Sequence, residues 1–289
     1  MITLGINWGD SSTVSLIKNN KIISAYGEER FSRIKNDMSY PYRAIKQCIK
    51  DLGKEKIDNV ALGAKGYSYE SILTNIYKLS VKDMIWLQNN YYHDLFYKNK
   101  NKSFLTTTKK FWKKNQYPKE YWKKVDKKKI KSFSDDVEKI VSNNLKIPRN
   151  KIFKVDHHTC HSNYAYYSSP FKTKKCLVFT MDGYGDGLNA TISIGENGNL
   201  KRIYETDKCI VGRIYSHITL LLGMKRLEHE YKLMGLAPYG EKYFNKDCYG
   251  VFDEILKLNK YKFLINKKPK DSYFYFKKKL EGYRFDTIA

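Results

Sequence analysis

Residues 4–29 read LGINWGDSSTVSLIKNNKIISAYGEE, and the order of their parts points to a fold class. The short apolar run Ile2 to Ile6 predicts a first strand. A polar loop with Asp10, Ser11 and Ser12 follows, and Thr13 to Ile17 predicts a second strand. Asn19-Asn20 is a turn signal, because asparagine tolerates the left-handed backbone of a tight hairpin. Lys21 to Tyr26 predicts a third strand. Residues 178–205, VFTMDGYGDGLNATISIGENGNLKRIYE, repeat that order: strand, loop of Asp and Gly, strand, Asn-centred turn, strand. Self-similarity on this scale predicts a duplicated α/β unit.

After the first of these segments, Pro41 opens a helix with Ala44, Ile45, Cys48, Ile49 and Leu52 at helical spacing. Ile57 to Leu62 returns to strand, IFKVD from Ile152 is another, and HHTCHSNYAYYSS from His157 begins a helix. Gly212 to Leu222 and Glu228 to Met234 read as helices. Two facing halves, each with an acidic-glycine loop at a strand end, describe an actin/sugar-kinase/Hsp70-like duplicated α/β domain. Ligands of open α/β sheets bind at the carboxyl ends of strands, where these loops lie. The first half is expected at about 1–67 and 136–175, and the second at about 176–289. Residues 68–135 are a mostly helical insertion rich in Lys and Tyr, as in KKFWKKNQYPKEYWKK.

The chain has 289 residues, of which 42% are hydrophobic, enough for a sizeable core and against wholesale disorder. Its formal charge is +24, yet only eight residues are arginine. Phosphate readers lean on Arg forks, so a solvated lysine surface explains most of the excess. The interleaved aromatic and basic residues of 109–131 leave a basic nucleic-acid (tRNA)-binding module as the alternative function. No run of 18 apolar residues occurs, and the start lacks the basic and apolar regions of a signal peptide, so no membrane partner is expected. Five widely spaced cysteines with no CxxC pair fit a cytoplasmic protein without a disulfide framework.

Three motifs carry chemistry. In HHTCH, His157 and His161 are four apart, which on a helix puts both imidazoles on one face within reach of one metal ion. Two histidines leave positions for a carboxylate, water or phosphate oxygen, as a catalytic site requires. His158 points elsewhere on such a helix, and Asp156 fits a helix cap. The second motif is the pair of acidic-glycine loops, Asp10 and Ser11 in one, Asp182, Gly183, Gly185, Asp186 and Gly187 in the other. Glycines let backbone N–H groups approach phosphate, and an aspartate can hold a cation or its waters. The third is EHEYKLMGLAPYG, residues 228–240, in which Lys232 enters a segment with Gly235 and could meet an anion. From spacing alone this last segment reads as a helix with a Gly-Pro stop.

Taken in order, these elements resemble the NodU/CmcH carbamoyltransferase family. The resemblance rests on the opening through EERFSRIK (Glu28 to Lys35), on DHHTCHSNYAYYSSPF, on MDGYGDG and on EYKLMGLAPYG. It covers nearly the whole chain except the insertion. It implies an N-terminal domain similar to TsaD-type transferases, with a divalent metal, iron in this family, on the HxxxH pair. It also implies a YrdC-like C-terminal domain, which makes carbamoyl-adenylate from ATP and carbamoyl phosphate. The N-terminal domain then moves the carbamoyl group to a hydroxyl of a small-molecule or sugar acceptor.

On this resemblance, His157 and His161 hold the metal. Asp182, Gly183 and Gly185 contact the phosphate or the metal's waters, Asp10 and Ser11 face them from the other half, and Lys232 and Gly235 complete the carbamoyl-adenylate site. The chain departs from the family in two ways. It stops at Ala289, before the further strands, a further aspartate ligand and the YrdC-like domain. Exposed apolar surface, dependence on a YrdC-like polypeptide, and an incomplete or inactive chain when alone are the corresponding expectations, with the fragment of a split gene as one reading. A histidine often precedes the first-loop aspartate in the family, and Gly9 stands there.

Overall fold

The structure is a computed structural model, and it describes residues 1–9, 11–65, 79–100, 107, 111, 133–240, 243–260, 262–265 and 269–289. It divides into two compact units, Met1–Lys78 with Phe111–Asn163, and Leu79–Lys110 with Tyr164–Ala289. Most of the Lys/Tyr insertion, and with it nearly all of the segment behind the nucleic-acid alternative, lies outside the described residues.

The first unit is a five-stranded mixed sheet. Strands β1 (Ile2–Asn7), β2 (Thr13–Lys18) and β3 (Lys21–Gly27) form an antiparallel meander. Strands β4 (Asn59–Leu62) and β5 (Ile152–Lys154) add in parallel, giving the order β3-β2-β1-β4-β5. Asn19 and Asn20 both adopt positive φ in the β2–β3 turn, as a two-residue hairpin requires. Alternation puts Ile2, Leu4, Ile6, Val14, Leu16, Val60 and Leu62 in the core. After the short helix α1 (Glu29–Ser32), helix α2 (Tyr42–Leu52) buries Ala44, Ile45, Cys48 and Leu52 in that core. Ile49, expected on the same face, is exposed instead. Helix α3 (Phe133–Leu145) adds Val137 and Val141 to the core. Helix α4 (His157–Tyr167) follows β5, and the boundary between the units falls within it.

The second unit carries its own antiparallel meander, β6 (Cys176–Gly185), β7 (Leu188–Glu196) and β8 (Asn199–Thr206). Asn197 and Gly198 take positive φ in the turn between β7 and β8. Strand β6 lies at the sheet edge among the described residues, and Leu177, Phe179 and Met181, at alternate positions along it, are 58%, 65% and 59% exposed. The strands expected in both segments of the internal repeat are therefore present, each set as a three-stranded meander.

Helices α5 (Val211–Leu221), α6 (Glu230–Gly240), α7 (Lys246–Asp253), α8 (Ser272–Lys279) and α9 (Phe285–Ile288) follow, with the hairpin β9 (Leu256–Asn259) and β10 (Lys262–Ile265) between α7 and α8. Their core holds Ile210, Ile218, Leu233, Cys248, Val251, Ile255, Phe276 and Leu280. Residues 81–97, expected within the insertion, form a helical run with a π turn at Gln88–Tyr92 and belong to this unit. Gln88 donates to Asp271 at 3.2 Å, and Asp271 caps α8 through the Phe274 N–H. Among the described residues no helix is long and apolar enough to cross a membrane.

Helix α5 also carries a buried polar stripe. His217 is buried, and its Nδ1 lies 2.7 Å from Ser272 Oγ. Burial, reinforced by the charges of Arg226 and Arg213, drops its pKa to about 3. A base whose folded pKa lies below its unfolded value of about 6.5 takes up its proton first in the unfolded chain. Stability is thus fully present above pH 6.5 and is lost as pH falls toward 3, by about 2 kcal/mol at pH 5. Urea unfolding at several pH values checks this. His217→Asn should show a shallower loss of stability between pH 6.5 and 4.5 than the wild type, and equal slopes would contradict a neutral, buried imidazole.

Candidate metal centre and strand-end loops

The metal motif sits where the first sheet hands the chain to a helix. Val155 N–H still bonds to Leu62 O at 2.9 Å, so the chain leaves β5 tied to the sheet. Asp156 then caps α4, its Oδ1 accepting from Thr159 N at 2.8 Å and from Thr159 Oγ1 at 3.0 Å. This cap starts the helix at His157 and so sets which way each imidazole faces. His157 and His161 share a face, with their Nε2 atoms 3.1 Å apart and their rings inclined by 80°. Two nitrogens about 2.1 Å from one ion, at roughly a right angle, lie about 3 Å from each other. The spacing of this pair therefore fits joint coordination of a divalent metal, and imidazole suits zinc, copper, iron and nickel alike. His158 turns inward and is fully buried.

In the first loop, Asp10 lies outside the described residues. Ser11 adopts φ +54°, is exposed, and its hydroxyl lies 3.4 Å from Asn36 Oδ1. Ser12 is buried and both of its backbone polar groups are engaged. Its N–H donates to Asp37 O at 2.7 Å, and its carbonyl accepts from Glu28 N at 2.8 Å.

The second motif differs from the single loop expected from DGYGDG. Strand β6 runs through to Gly185, with a register break between Met181 and Gly185 that holds Asp182, Gly183 and Tyr184. Asp186 and Gly187, at φ +49° and +90°, form a two-residue hairpin turn under the Gly185–Leu188 pair. Those two residues serve the turn, because such hairpins demand positive φ at both positions. Asp182, Gly183 and Gly185 are left in the irregular strand end. Gly183 N–H donates to Asp182 Oδ1, and Gly183 O accepts from the buried Asn189 side chain, each at 2.5 Å.

Helix α5 presses on this strand end. A Cβ on Gly212 would lie 2.8 Å from both N and Cα of Gly183, closer than atoms can approach. Neither Asn189 nor Gly212 stood out in the sequence. Their roles exist only once β7 and α5 are brought beside Gly183.

Lys232 and Gly235 lie in no loop. Helix α6 continues from Glu230 to Gly240, through Gly235 and Pro238, beyond the expected stop near Met234. A helical glycine costs about 1 kcal/mol, and this one is outweighed by anchors at both ends. Glu230 Oε1 accepts from Leu227 N at 2.6 Å, and Leu233 is buried in the core. At the far end Gly240 lies against the backbone of Asp286, leaving no room for a Cβ. Lys232 is exposed, its Nζ 6.0 Å from the Tyr231 ring centre. His217 belongs to the buried stripe of α5 described above.

Residues 3–284 match the family model described as carbamoyltransferase N-terminus. The chain belongs to that family. An uncharacterized protein of Synechocystis, sll1178, is 27% identical over 82% of this chain and 34% of its own length. An uncharacterized protein of Methanocaldococcus jannaschii, MJ1051, is 27% identical over 89% of this chain and 37% of its own. The nodulation protein NolNO of Sinorhizobium fredii is 25% identical over 87% of this chain and 31% of its own. The chain thus spans about a third of the length of these curated relatives.

The close approach of Gly212 gives a sign test within this carbamoyltransferase domain. In an ordinary helix Gly→Ala stabilises by about 1 kcal/mol. Gly212→Ala should instead destabilise the second unit, because the methyl group must push the Gly183 backbone away. Urea unfolding measures the difference, and a gain in stability would show that the helix and strand end do not touch here.

Proposed function

We propose that this chain is the metal- and nucleotide-binding part of an O-carbamoyltransferase. The reaction moves a carbamoyl group from carbamoyl-adenylate to a hydroxyl of a small-molecule or sugar acceptor. The observation that carries the reading is the 3.1 Å approach of the His157 and His161 Nε2 atoms, in a chain of the carbamoyltransferase N-terminus family.

In this reading His157 and His161 hold a divalent metal through Nε2, and the Asp156 cap keeps their helix turn from swivelling. When bound, the metal supplies Lewis acidity to the carbamoyl carbonyl or to the adenylate phosphate. Ser11 offers a hydroxyl to the nucleotide from its exposed position, and Asp10 belongs to the same loop. The strand end with Asp182, Gly183 and Gly185 faces phosphate with backbone amides. For a phosphate oxygen to take the Gly183 N–H, the Asp182 carboxylate must give it up. Lys232 and Gly235, on α6, are assigned a supporting place near the adenylate, with Lys232 as an exposed positive charge. The acceptor oxygen forms a bond to the carbamoyl carbon, the bond from that carbon to the phosphate oxygen breaks, and AMP leaves with the electron pair while the hydroxyl proton is released. ATP and carbamoyl phosphate enter through a YrdC-like polypeptide or domain, which makes the carbamoyl-adenylate.

Two measurements test this. Anaerobically purified wild type should carry metal by elemental analysis, and His157→Ala and His161→Ala should lose most of it. With carbamoyl-adenylate generated in place by a YrdC-like protein, ATP and carbamoyl phosphate, carbamoylation of a sugar hydroxyl should fall roughly a hundredfold in either variant. Equal metal content in all three proteins would remove the metal site, whatever the transfer assay shows.

A further inference from the structure

The stretch Glu28 to Asp37, EERFSRIKND, marks the family resemblance, yet the reaction above gives it no task. The structure shows it as a strap thrown around the first loop. Its first residue bonds to Ser12 through Glu28 N and Ser12 O, and its last returns to the same residue through Asp37 O and Ser12 N. Beyond the strap, Met38 O accepts from Trp8 Nε1 at 3.1 Å, on the other side of Gly9. The strap closes on itself where Asn36 N–H donates to Glu29 Oε2 at 2.9 Å, and the Asn36 side chain meets the Ser11 hydroxyl.

At its first end a carboxylate ties this strap to the start of α2. Glu28 is 0% exposed. Its Oε2 accepts from Ala44 N at 2.8 Å, and its Oε1 accepts from Arg43 N at 3.3 Å and from the Arg43 guanidinium at 3.4 Å. It thereby caps the first turn of α2 from a distance, where Pro41 at the N-cap position makes no side-chain bond. Helix α2 is itself locked into the core by Ala44, Ile45 and Cys48. A hydrogen-bonded path therefore runs from the core through α2 and the Glu28 carboxylate to the Glu28–Ser12 bond, while the Asp37 end of the strap continues into buried Met38 and Tyr40.

We propose that Glu28 is a positioning residue for the first loop, setting the backbone of Ser12 and through it the Ser11 hydroxyl that faces the nucleotide. The nucleotide part of this statement rests on the function proposed above, whereas the positioning does not. Burial raises the Glu28 carboxyl above its ordinary range, against the backbone donors of Ala44 and Arg43, and the Asp37 charge adds to the rise. The ionised carboxylate is thus costly to bury and is held by its donors, as a fixed joint requires. Glutamine in its place keeps the size but brings an N–H₂ against donors that need an acceptor.

Hydrogen–deuterium exchange of the whole chain reads the joint directly, because the Ser12 N–H is bonded to Asp37 O. In Glu28→Gln, amides at 11–13 should exchange roughly tenfold faster or more, while β1 and β4 keep wild-type protection. Glu28→Asp, one methylene shorter but still charged, should restore part of the protection. Arg43→Met leaves the core untouched and removes one donor, so it should loosen the same amides to a smaller extent. It carries the test alone if Glu28→Gln does not fold. Unchanged exchange at Ser12 would overturn the proposal, and so would an equal acceleration in β1 and β4, which marks a residue of general stability.

AMP titration adds the functional arm. Its dissociation constant should rise in Glu28→Gln in step with the loosened loop, and a wild-type value with a loosened loop would overturn the link to the nucleotide. Failure of the wild type to bind AMP at all would count against the function proposed above. The exchange result would then still decide whether Glu28 positions the loop.

Discussion

A buried carboxylate must find hydrogen-bond donors, and in the first unit the architecture around the first loop follows from how Glu28 finds them. Its oxygens take the Arg43 and Ala44 N–H groups, which the first turn of a helix cannot bond within itself. Their pairing serves both partners. The helix gains the cap that Pro41 does not provide, and the end of β3 is fixed to the start of α2. Everything between Glu28 and Tyr42 must then close as a loop of set length, and that loop wraps the strand end where Ser11 and Ser12 lie.

The two units secure their strand-end segments by different means. In the first, the loop is gripped from outside by a separate stretch of chain, which satisfies both backbone groups of Ser12. In the second, the irregular end of β6 is secured by its neighbours in the sheet and by contact. Asn189 on the adjacent strand takes the Gly183 carbonyl, and the bare Cα of Gly212 lets α5 pack onto the same peptide. Both solutions obey one rule, that buried backbone polar groups are paired. The difference is in freedom. A strap can be loosened at one joint, whereas a glycine contact yields only if the helix moves.

Much of this was legible in the residues. Each of the three strands of either meander was readable from its apolar run, and the turns from Asn19-Asn20 and Asn197-Gly198, because positive φ restricts the choice of residue. The i,i+4 spacing of His157 and His161 foretold two convergent rings, since a helix has no other way to place them. Legibility failed where a local signal had two meanings. DGYGDG reads as one glycine loop, yet its last Asp-Gly pair is a hairpin turn and its first lies inside a strand. Gly235 and Pro238 read as a helix stop, yet α6 passes through both, because its ends are anchored by partners distant in sequence or invisible to propensity.

The elements readable from neighbouring residues are those whose cause is local: alternation in β1 and β2, the turn asparagines, the amphipathic face of α2, and the histidine pair on one helical face. These follow from bond rotation and period, which neighbouring residues settle among themselves. Three features emerge only on folding: the Glu28 carboxylate caps a helix fourteen residues away, Ser12 is held from both ends of a strap, and Gly212 lies against Gly183. Those contacts join groups that no spacing rule connects. They arise because packing the apolar faces leaves buried polar atoms that must be paired, and the partner is whichever donor or acceptor the fold has brought near.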